Sequence, residues 1–337
     1  MKKNIRGSLL LLFGTVIWGS AFIAQRAGMD SIGPFTFQAI RCTLAVLFLF
    51  PAATLFGTGQ GGLRASLRRW MDVRLWKGGL LCGLALFAAS SLQQVGLVET
   101  DAGKAGFLTA MYIILVPLLG VFLGRRPSGS ALCSVLPAAV GLYLLSWSGS
   151  SGFARGDLLL LGCALAFSVQ IILIDRFAGE LEGLRLNCIQ AMVVVLLSLP
   201  CMAATETIEP ESIAACWLPL TYAGVLSMGV AYSLQILGQR DLEPTAASLI
   251  MSLESVFAVL FGYLILHETL TAREGIGCIL VFSAVILSQL PDKKKRKADK
   301  THKRPFGTMI PASAGPLFRK VFSFRQKDVL SVNIFFP

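Results

Sequence analysis

Long apolar runs dominate the chain, and each is about as long as a membrane crossing. Ten runs can be delimited, at residues 7–27, 34–56, 76–98, 102–124, 129–147, 156–177, 183–203, 214–237, 243–266 and 273–290. A bilayer core needs about 20 apolar residues per helix. Because lipid offers backbone groups no partner, such runs must be helices or barrel strands, and continuous apolarity excludes the alternation of a barrel strand. The pattern predicts an all-α polytopic membrane protein with ten transmembrane helices.

An internal repeat relates the two halves of this pattern. Residues 37–51 (FQAIRCTLAVLFLFP) align with residues 186–200 (LNCIQAMVVVLLSLP) at an offset of 149. Further on the offset becomes 142, where SLQQVG at 91–96 meets SLQILG at 233–238. The matches predict two five-helix repeats, at 7–147 and 156–290. Since five is odd, the second repeat enters the membrane from the opposite side, an inverted arrangement typical of secondary transporters.

Composition and charge support a membrane protein and set its orientation. The 337 residues are 55% hydrophobic and only 15% charged, against roughly 25% charged in soluble domains. With the N-terminus inside, thirteen Lys and Arg residues of the head and the loops lie on the cytoplasmic side and four on the far side. Basic loops stay in the cytoplasm, which predicts that both termini are cytoplasmic and that the protein lies in the plasma (inner) membrane.

The net charge of +11 could also indicate a nucleic-acid partner, but its distribution argues against one. Twelve of the 30 Lys and Arg residues lie after Pro291, in a basic segment at 291–337 without a repeat mate. We interpret this segment as a disordered cytoplasmic tail that anchors the topology and can touch anionic lipid. The partners predicted for the protein are therefore a lipid bilayer and a small-molecule substrate, with no nucleic acid.

Several stretches resemble the EamA-type family of drug/metabolite transporters. The first run carries IWGSAFIAQRA, the fourth reads DAGKAGFLTAMYIILVPLLGVFLGRRPS, and the ninth and tenth read EPTAASLIMSLESVFAVLFGYLILHETLTAREGIGCILV. The resemblance implies ten helices in two repeats and the export of small metabolites such as amino acids or drugs. One departure lies after the fourth run, where members often have a glutamate and this chain has Arg125-Arg126. After the ninth run the chain does have the glutamate, Glu268.

Two ionisable residues lie deep within the runs and are the main candidates for substrate binding. Arg41 has no carboxylate within ten residues on either side, and Glu254 lies in the middle of the ninth run, opposite Tyr112 in the repeat alignment. Intramembrane charges usually face the bundle interior and pair there. In one interpretation Arg41 binds a substrate carboxylate or phosphate and Glu254 binds an amine or a proton. In the other they form a buried structural ion pair, or Glu254 bonds backbone near a helix break.

Amides and aromatic residues extend the candidate site. Gln93 and Gln235 are repeat mates, Gln94 adjoins the first of them, and Gln190 occupies the position of Arg41 in the second repeat. Trp18 and Tyr112 could wall an apolar pocket. Symmetric amides also suit interhelical hydrogen bonds, and aromatic side chains also suit lipid contact or core packing, so a structural role is the alternative for each.

No motif indicates that the chain itself powers transport or binds a cofactor. DAGKAGF lacks the spacing of a phosphate loop, HETLT lacks the second histidine of a zinc site, and the eight cysteines show no CxxC spacing. We therefore expect a secondary transporter rather than an enzyme, with no cofactor or metal, working by alternating access and coupled to a proton or ion gradient or to the substrate's own gradient. The alternatives are an intramembrane enzyme acting on lipid-linked substrates and a channel or non-transporting scaffold.

Overall fold

The computed structural model describes the chain as a bundle of helices. It covers residues 2–29, 31–56, 62–100, 102–125, 127–146, 154–266 and 271–290, and within these ranges it contains no strand. The predicted basic tail at 291–337 lies outside the described residues. The all-α prediction is confirmed for the part of the chain that is described.

The first half of the chain forms seven helices. They are α1 (Lys2–Met29), α2 (Pro34–Phe56), α3 (Gly62–Arg69), α4 (Val73–Glu99), α5 (Ala102–Ala110), α6 (Tyr112–Phe122) and α7 (Gly129–Ser146). The second half adds eight α-helices and one π-helix. They are α8 (Arg155–Ala178), α9 (Gly183–Thr205), α10 (Pro210–Ala215), α11 (Trp217–Thr221), the π-helix (Tyr222–Ala231), α12 (Tyr232–Gln239), α13 (Pro244–Met251), α14 (Leu253–Leu266) and α15 (Ala272–Ser288).

Eight helical stretches among the described residues are long and apolar enough to cross a membrane. They are Asn4–Met29, Pro34–Phe56, Val73–Glu99, Ala105–Phe122, Arg155–Ala178, Gly183–Thr205, Trp217–Gln239 and Pro244–Ile265. Gly129–Leu145 is apolar but shorter, and α15 has 17 residues. Every predicted run thus corresponds to helix, although the fourth, eighth and ninth runs are each divided into more than one segment.

The ends of the helices define two faces of the bundle. Ser8, near the start of α1, donates from Oγ to Gln289 Oε1 over 3.0 Å, just after α15 ends. At the other end of α1, the carbonyl of Gly28 accepts from Cys216 Sγ over 3.6 Å, at the start of α11. We call the end where α1 begins and α15 ends the N-terminal face, and the other end the opposite face.

Small residues bring helices of the two halves into close contact. A Cβ atom on Gly79 of α4 would lie 2.4 Å from Cγ2 of Ile189, and one on Gly83 would lie 2.6 Å from Cβ of Val193, both on α9. Lipid tails are as apolar as leucine, so helices in a membrane associate through close packing rather than through the hydrophobic effect. These glycines therefore fix the crossing of α4 and α9.

A carboxylate from one half of the chain caps a helix of the other half at the opposite face. Backbone N–H groups of Phe35 and Thr36 each donate to Glu206 over 2.8 Å, and Thr36 Oγ1 donates to it over 2.7 Å. These groups lie in the first turn of α2, where free N–H groups and the helix dipole favour an anion. A Cβ atom on Gly33 would lie 2.2 Å from Cδ of Glu206, so a larger residue there would displace the carboxylate from this cap.

We predict that Glu206→Ala lowers the stability of the bundle by about 1–2 kcal/mol, the usual cost of losing a helix cap. Thermal unfolding of the detergent-solubilised protein measures the effect. The matched control is Glu209→Ala, which removes an exposed carboxylate in the same loop that accepts a hydrogen bond from Ser212 Oγ. An equal shift in both variants would contradict the capping role.

Candidate functional site

Two helix breaks meet near the centre of the bundle. The fourth run breaks at Met111, between α5 and α6, and the ninth breaks at Ser252, between α13 and α14. Tyr112 begins α6, Glu254 lies in the first turn of α14, and Tyr112 Oη donates to Glu254 Oε1 over 3.2 Å. Each break is a single residue with right-handed helical angles, φ −59° and ψ −10° at Met111 and φ −64° and ψ −13° at Ser252. Backbone hydrogen bonds continue across both positions, so neither helix is unwound.

A cavity of about 50 Å³ lies beside these breaks. It is lined by Trp18, Phe22, Gln25, Arg41, Gln93, Tyr112, Phe167, Gln170, Ile171, Ser227, Tyr232, Gln235, Met251 and Glu254. A water needs roughly 10–15 Å³ of such space, whereas ligand pockets usually measure about 300–1,000 Å³. In this conformation the cavity therefore has room for a few waters and is too small for a metabolite.

Arg41 enters the cavity from α2 and is 7% exposed. Its Nη1 donates to Gln25 Oε1 over 2.9 Å, and its guanidinium lies 5.8 Å from the centre of the Phe37 ring. Its Nε is buried without a hydrogen-bond partner. No carboxylate of the described residues forms an ion pair with Arg41. The structure therefore does not show the structural ion pair between Arg41 and Glu254.

Gln25 on α1 connects the cation to a third helix. Its Oε1 accepts from Arg41 and also from Gln94 Nε2 of α4, over 3.1 Å. A neutral amide oxygen with two donors orients the guanidinium but leaves its charge uncompensated. The hydrogen bonds of Gln25 therefore hold α1, α2 and α4 together around a net positive charge.

The other wall of the cavity is made of amides and aromatic rings. Gln235 Nε2 donates to Gln170 Oε1 over 3.3 Å, while Gln170 Nε2 is buried without a partner. The rings of Trp18 and Tyr232 meet edge to face with centroids 5.0 Å apart, and Trp18 Nε1 is also buried without a partner. Unused donors in a buried place are costly, and a ligand or water is the usual partner for them.

The structure brings most of the predicted site residues together. Six of the eight line the cavity, and they are Trp18, Arg41, Gln93, Tyr112, Gln235 and Glu254. Gln94 reaches it only through Gln25. Gln190 does not line it and instead donates to Asn187 Oδ1 over 2.7 Å.

Several lining residues do not stand out in the sequence, of which Gln25 matters most. It lies beside Arg26 near the end of the first run, where a polar residue looks like part of the flanking loop. The available signal is the spacing Trp18, Phe22, Gln25, which places the three side chains on one face of α1. Outside the cavity, Arg185 is fully buried beneath α3 although its position in the sequence resembles that of a loop charge.

The site holds one carboxylate, and among the described residues no group of three His, Cys, Asp or Glu side chains could hold a metal ion. Its charged groups are a guanidinium from α2 and a carboxylate from α14, which line the same cavity. Such a set can bind charged groups but offers neither a nucleophile with its base nor a metal-bound water.

Comparison with known proteins identifies the class of this helical bundle as a multi-pass membrane transporter. The sequence profile of the EamA-like transporter family matches residues 5–147 and again residues 154–290. The chain belongs to the EamA-like transporter family.

Relatives of known sequence and structure agree with this assignment. An uncharacterized transporter of Archaeoglobus fulgidus is 34% identical over 86% of this chain and 87% of its own length. An S-adenosylmethionine/S-adenosylhomocysteine transporter of Chlamydia muridarum is 26% identical over 77% of this chain and 84% of its own. A protein known from a crystal structure shares the fold, with a TM-score of 0.72 at 19% identity over 86% of this chain and 98% of that one. The expectations of an EamA-type protein and of a transporter rather than an enzyme are confirmed.

We predict that Gln25→Leu destabilises the protein by about 1.5–3 kcal/mol, because it removes a hydrogen bond to a buried charged group. Gln93→Leu is the matched control, since Gln93 lines the same cavity but forms no hydrogen bond to another described residue. Chemical unfolding in detergent measures both. Equal stability of the two variants would show that Gln25 does not hold the guanidinium.

Proposed function

We propose that the protein is a secondary transporter that exports small metabolites carrying a carboxylate and an amine, by alternating access. The observation that carries the proposal is the presence of Arg41 and Glu254 in one cavity, neither with an ion pair to any described residue. A charge inside a membrane protein is expensive unless a partner compensates it. A substrate with both charges would supply the two missing partners.

Arg41 suits a carboxylate because a planar guanidinium can donate two parallel hydrogen bonds to one. Its Nη1 already bonds a neutral amide, and its Nε has no partner, so donors remain for a ligand. Gln190 takes this position in the second repeat, so the scaffold does not need a cation there. The charge of Arg41 is then explained by recognition rather than by folding.

Glu254 suits an amine or a proton on the other side of the same cavity. Its carboxylate receives one hydrogen bond from Tyr112 at the junction of the two broken helices. The aromatic side chains Trp18, Phe22 and Phe167 provide an apolar wall for the rest of the substrate.

The Chlamydia muridarum relative is named for S-adenosylmethionine and S-adenosylhomocysteine, two compounds with a carboxylate and an amine. Amino acids and related metabolites or drugs are the proposed substrate class.

Ten membrane crossings in two inverted repeats provide the scaffold in this proposal. Eight apolar stretches, the shorter α7 and the 17-residue α15 supply ten helical crossings. The family profile matches the chain twice, over 5–147 and 154–290, and α1 begins on the face where α15 ends. The breaks at Met111 and Ser252 also lie at nearly equivalent positions of the predicted repeats. Inverted repeats give two conformations of similar energy, which alternating access requires.

Polar contacts between the two repeats close each face of the bundle. At the N-terminal face Arg125 pairs with Asp175, and Ser128 N–H donates to Glu243 over 3.1 Å. At the opposite face Glu206 caps α2. To open one face while the other stays closed, the polar contacts at the first face must break and those at the second must remain. The bias of basic residues makes the N-terminal face cytoplasmic, with both termini inside and the protein in the plasma membrane.

We predict that Arg41→Gln lowers the flux of carboxylate-bearing substrates at least about tenfold, as expected for the loss of a charge-assisted hydrogen bond. Counterflow of an amino-acid panel into proteoliposomes measures this, and the matched amino-acid amides, which lack the carboxylate, should lose little. Arg155→Gln, at an exposed arginine outside the cavity, is the control. Unchanged flux in Arg41→Gln would make the cation structural.

We also predict that Asp175→Asn favours the conformation open at the N-terminal face, because it removes the ion pair between Asp175 and Arg125. Thr245→Cys provides the readout, since Thr245 lines the cavity at that face and is buried when the face is closed. Its reaction with a membrane-impermeant maleimide should become several-fold faster, corrected for the native cysteines in the parent protein. Glu180→Gln, just after the end of the same helix, is the control. Equal rates in both backgrounds would contradict the gate.

A further inference from the structure

The short helix α3 (Gly62–Arg69) has three distinct sides, set by positions four residues apart. Ser66 faces the bundle, and Trp70 in the following turn continues that side. Leu63 and Leu67 form a second side, and Arg64 and Arg68 form a third. Residues four apart on a helix lie on one face, so an anchor, an apolar stripe and a basic stripe follow one another around α3.

Hydrogen bonds hold α3 firmly on the N-terminal face. Ser66 Oγ donates to the carbonyl of Thr54 over 2.6 Å, and Trp70 Nε1 donates to Thr54 Oγ1 over 3.0 Å. On the side of α3 that faces the bundle, Arg185 of α9 donates from Nη2 to Ser66 Oγ over 2.6 Å. Its guanidinium lies 5.4 Å from the centre of the Trp70 ring. The helix is therefore a fixed part of the fold, and its other two sides point away from the bundle.

The apolar stripe of α3 is exposed rather than packed against the bundle. Leu63 is 52% exposed and Leu67 is 44% exposed. Leu55 and Phe56, at the end of α2, are also exposed. Because α2 is one of the apolar stretches long enough to cross a membrane, and α3 is hydrogen-bonded to Thr54 near its end, α3 lies at the level where that crossing ends.

The basic stripe carries charge that the protein does not neutralise. Arg64 and Arg68 are exposed, and neither forms an ion pair with another described residue. The neighbouring Arg69 differs, since its Nη1 lies 3.8 Å from Glu182 Oε2. The two free guanidinium groups are one turn apart, at a spacing that allows both to approach one or two phosphates.

We propose that α3 is a binding site for anionic phospholipid headgroups, with Arg64 and Arg68 on the phosphates and Leu63 and Leu67 among the first acyl carbons. Interfacial helices bind in this way, with basic residues at the headgroups and an apolar side below them. Trp76 strengthens the placement, because it is partly exposed at the start of α4 and donates from Nε1 to the Trp70 carbonyl over 2.7 Å. Tryptophan is enriched at this depth of the membrane.

A lipid fits this surface better than a soluble protein partner. Since α3 is hydrogen-bonded to the end of the apolar stretch of α2, a partner covering its apolar stripe would have to lie at the edge of the hydrocarbon level. A phospholipid satisfies both stripes with one molecule, since its charge and its chains lie at adjacent depths. The position of the apolar stripe at the end of α2 and the uncompensated charge of Arg64 and Arg68 thus favour the same occupant.

The test compares binding of phosphatidylglycerol and phosphatidylcholine to the detergent-solubilised full chain, titrated by native mass spectrometry. A basic residue near an anionic membrane surface contributes about a fivefold gain in affinity. The variant R64Q/R68Q should therefore bind phosphatidylglycerol about 25-fold more weakly, if the two contributions add. R64K/R68K keeps both charges and should retain most of the affinity. R240Q removes an exposed charge outside α3 and should change little.

Each outcome of the titration either supports the headgroup site or overturns it. A selective loss in R64Q/R68Q, together with weaker binding of the wild type at high salt, supports the site. Equal affinity of the wild type for both lipids would overturn it, and so would equal phosphatidylglycerol affinity of the wild type and R64Q/R68Q. The basic segment at 291–337 is present in every variant, so its contribution cancels in the comparison.

Discussion

The cost of burying the Arg41 guanidinium is the constraint that organises the centre of the bundle. An apolar surrounding strengthens every electrostatic interaction and penalises every polar group left without a partner. The protein meets this cost only in part, with the amide of Gln25 and the face of Phe37. A fully compensated arginine would be a structural element, whereas one held by a neutral acceptor keeps its attraction for an anion. The centre is thus stable enough to fold and polar enough to bind.

The broken helices answer a second requirement, which is to place polar groups deep in a membrane without unpaired backbone. At Met111 the helix is irregular for one residue only, and its backbone stays paired: its N–H donates to the Leu108 carbonyl, and its carbonyl accepts from the N–H groups of Ile114 and Leu115. Asn187 of α9 donates from Nδ2 to two carbonyls of the π-helix, those of Met228 and Gly229, over 3.0 Å each. Side chains of one helix thus satisfy backbone groups of another, as lipid-embedded structures require.

The sequence predicted the helices well and their interruptions poorly, and the reason is physical. Apolar runs are set by the thickness of the bilayer, which acts on every residue of a span, so the bounds of α2 and α9 could be predicted within a few residues. The irregularity at Ser252 is confined to one residue, and the apolar run at 243–266 continues through it, so the hydrophobic pattern does not reveal it. Arg41 and Glu254 stood out because ionisable residues inside spans are rare. Gln25 and Arg185 did not, since near a helix end a polar residue looks like an ordinary flank.

The route from the central cavity to solvent follows from the helices that line it. A second cavity, of about 260 Å³, lies toward the N-terminal face and is lined by Val116 of α6, Ile172 of α8 and Thr245 of α13. Tyr112, Ile171 and Met251 of the same three helices line the central cavity. Val116 follows Tyr112 by four residues, about 6 Å along a helix, so a thin layer of side chains separates the two spaces. The Arg125–Asp175 pair, which joins the end of α6 to α8, lines the second cavity and closes its outer side in the proposed cycle.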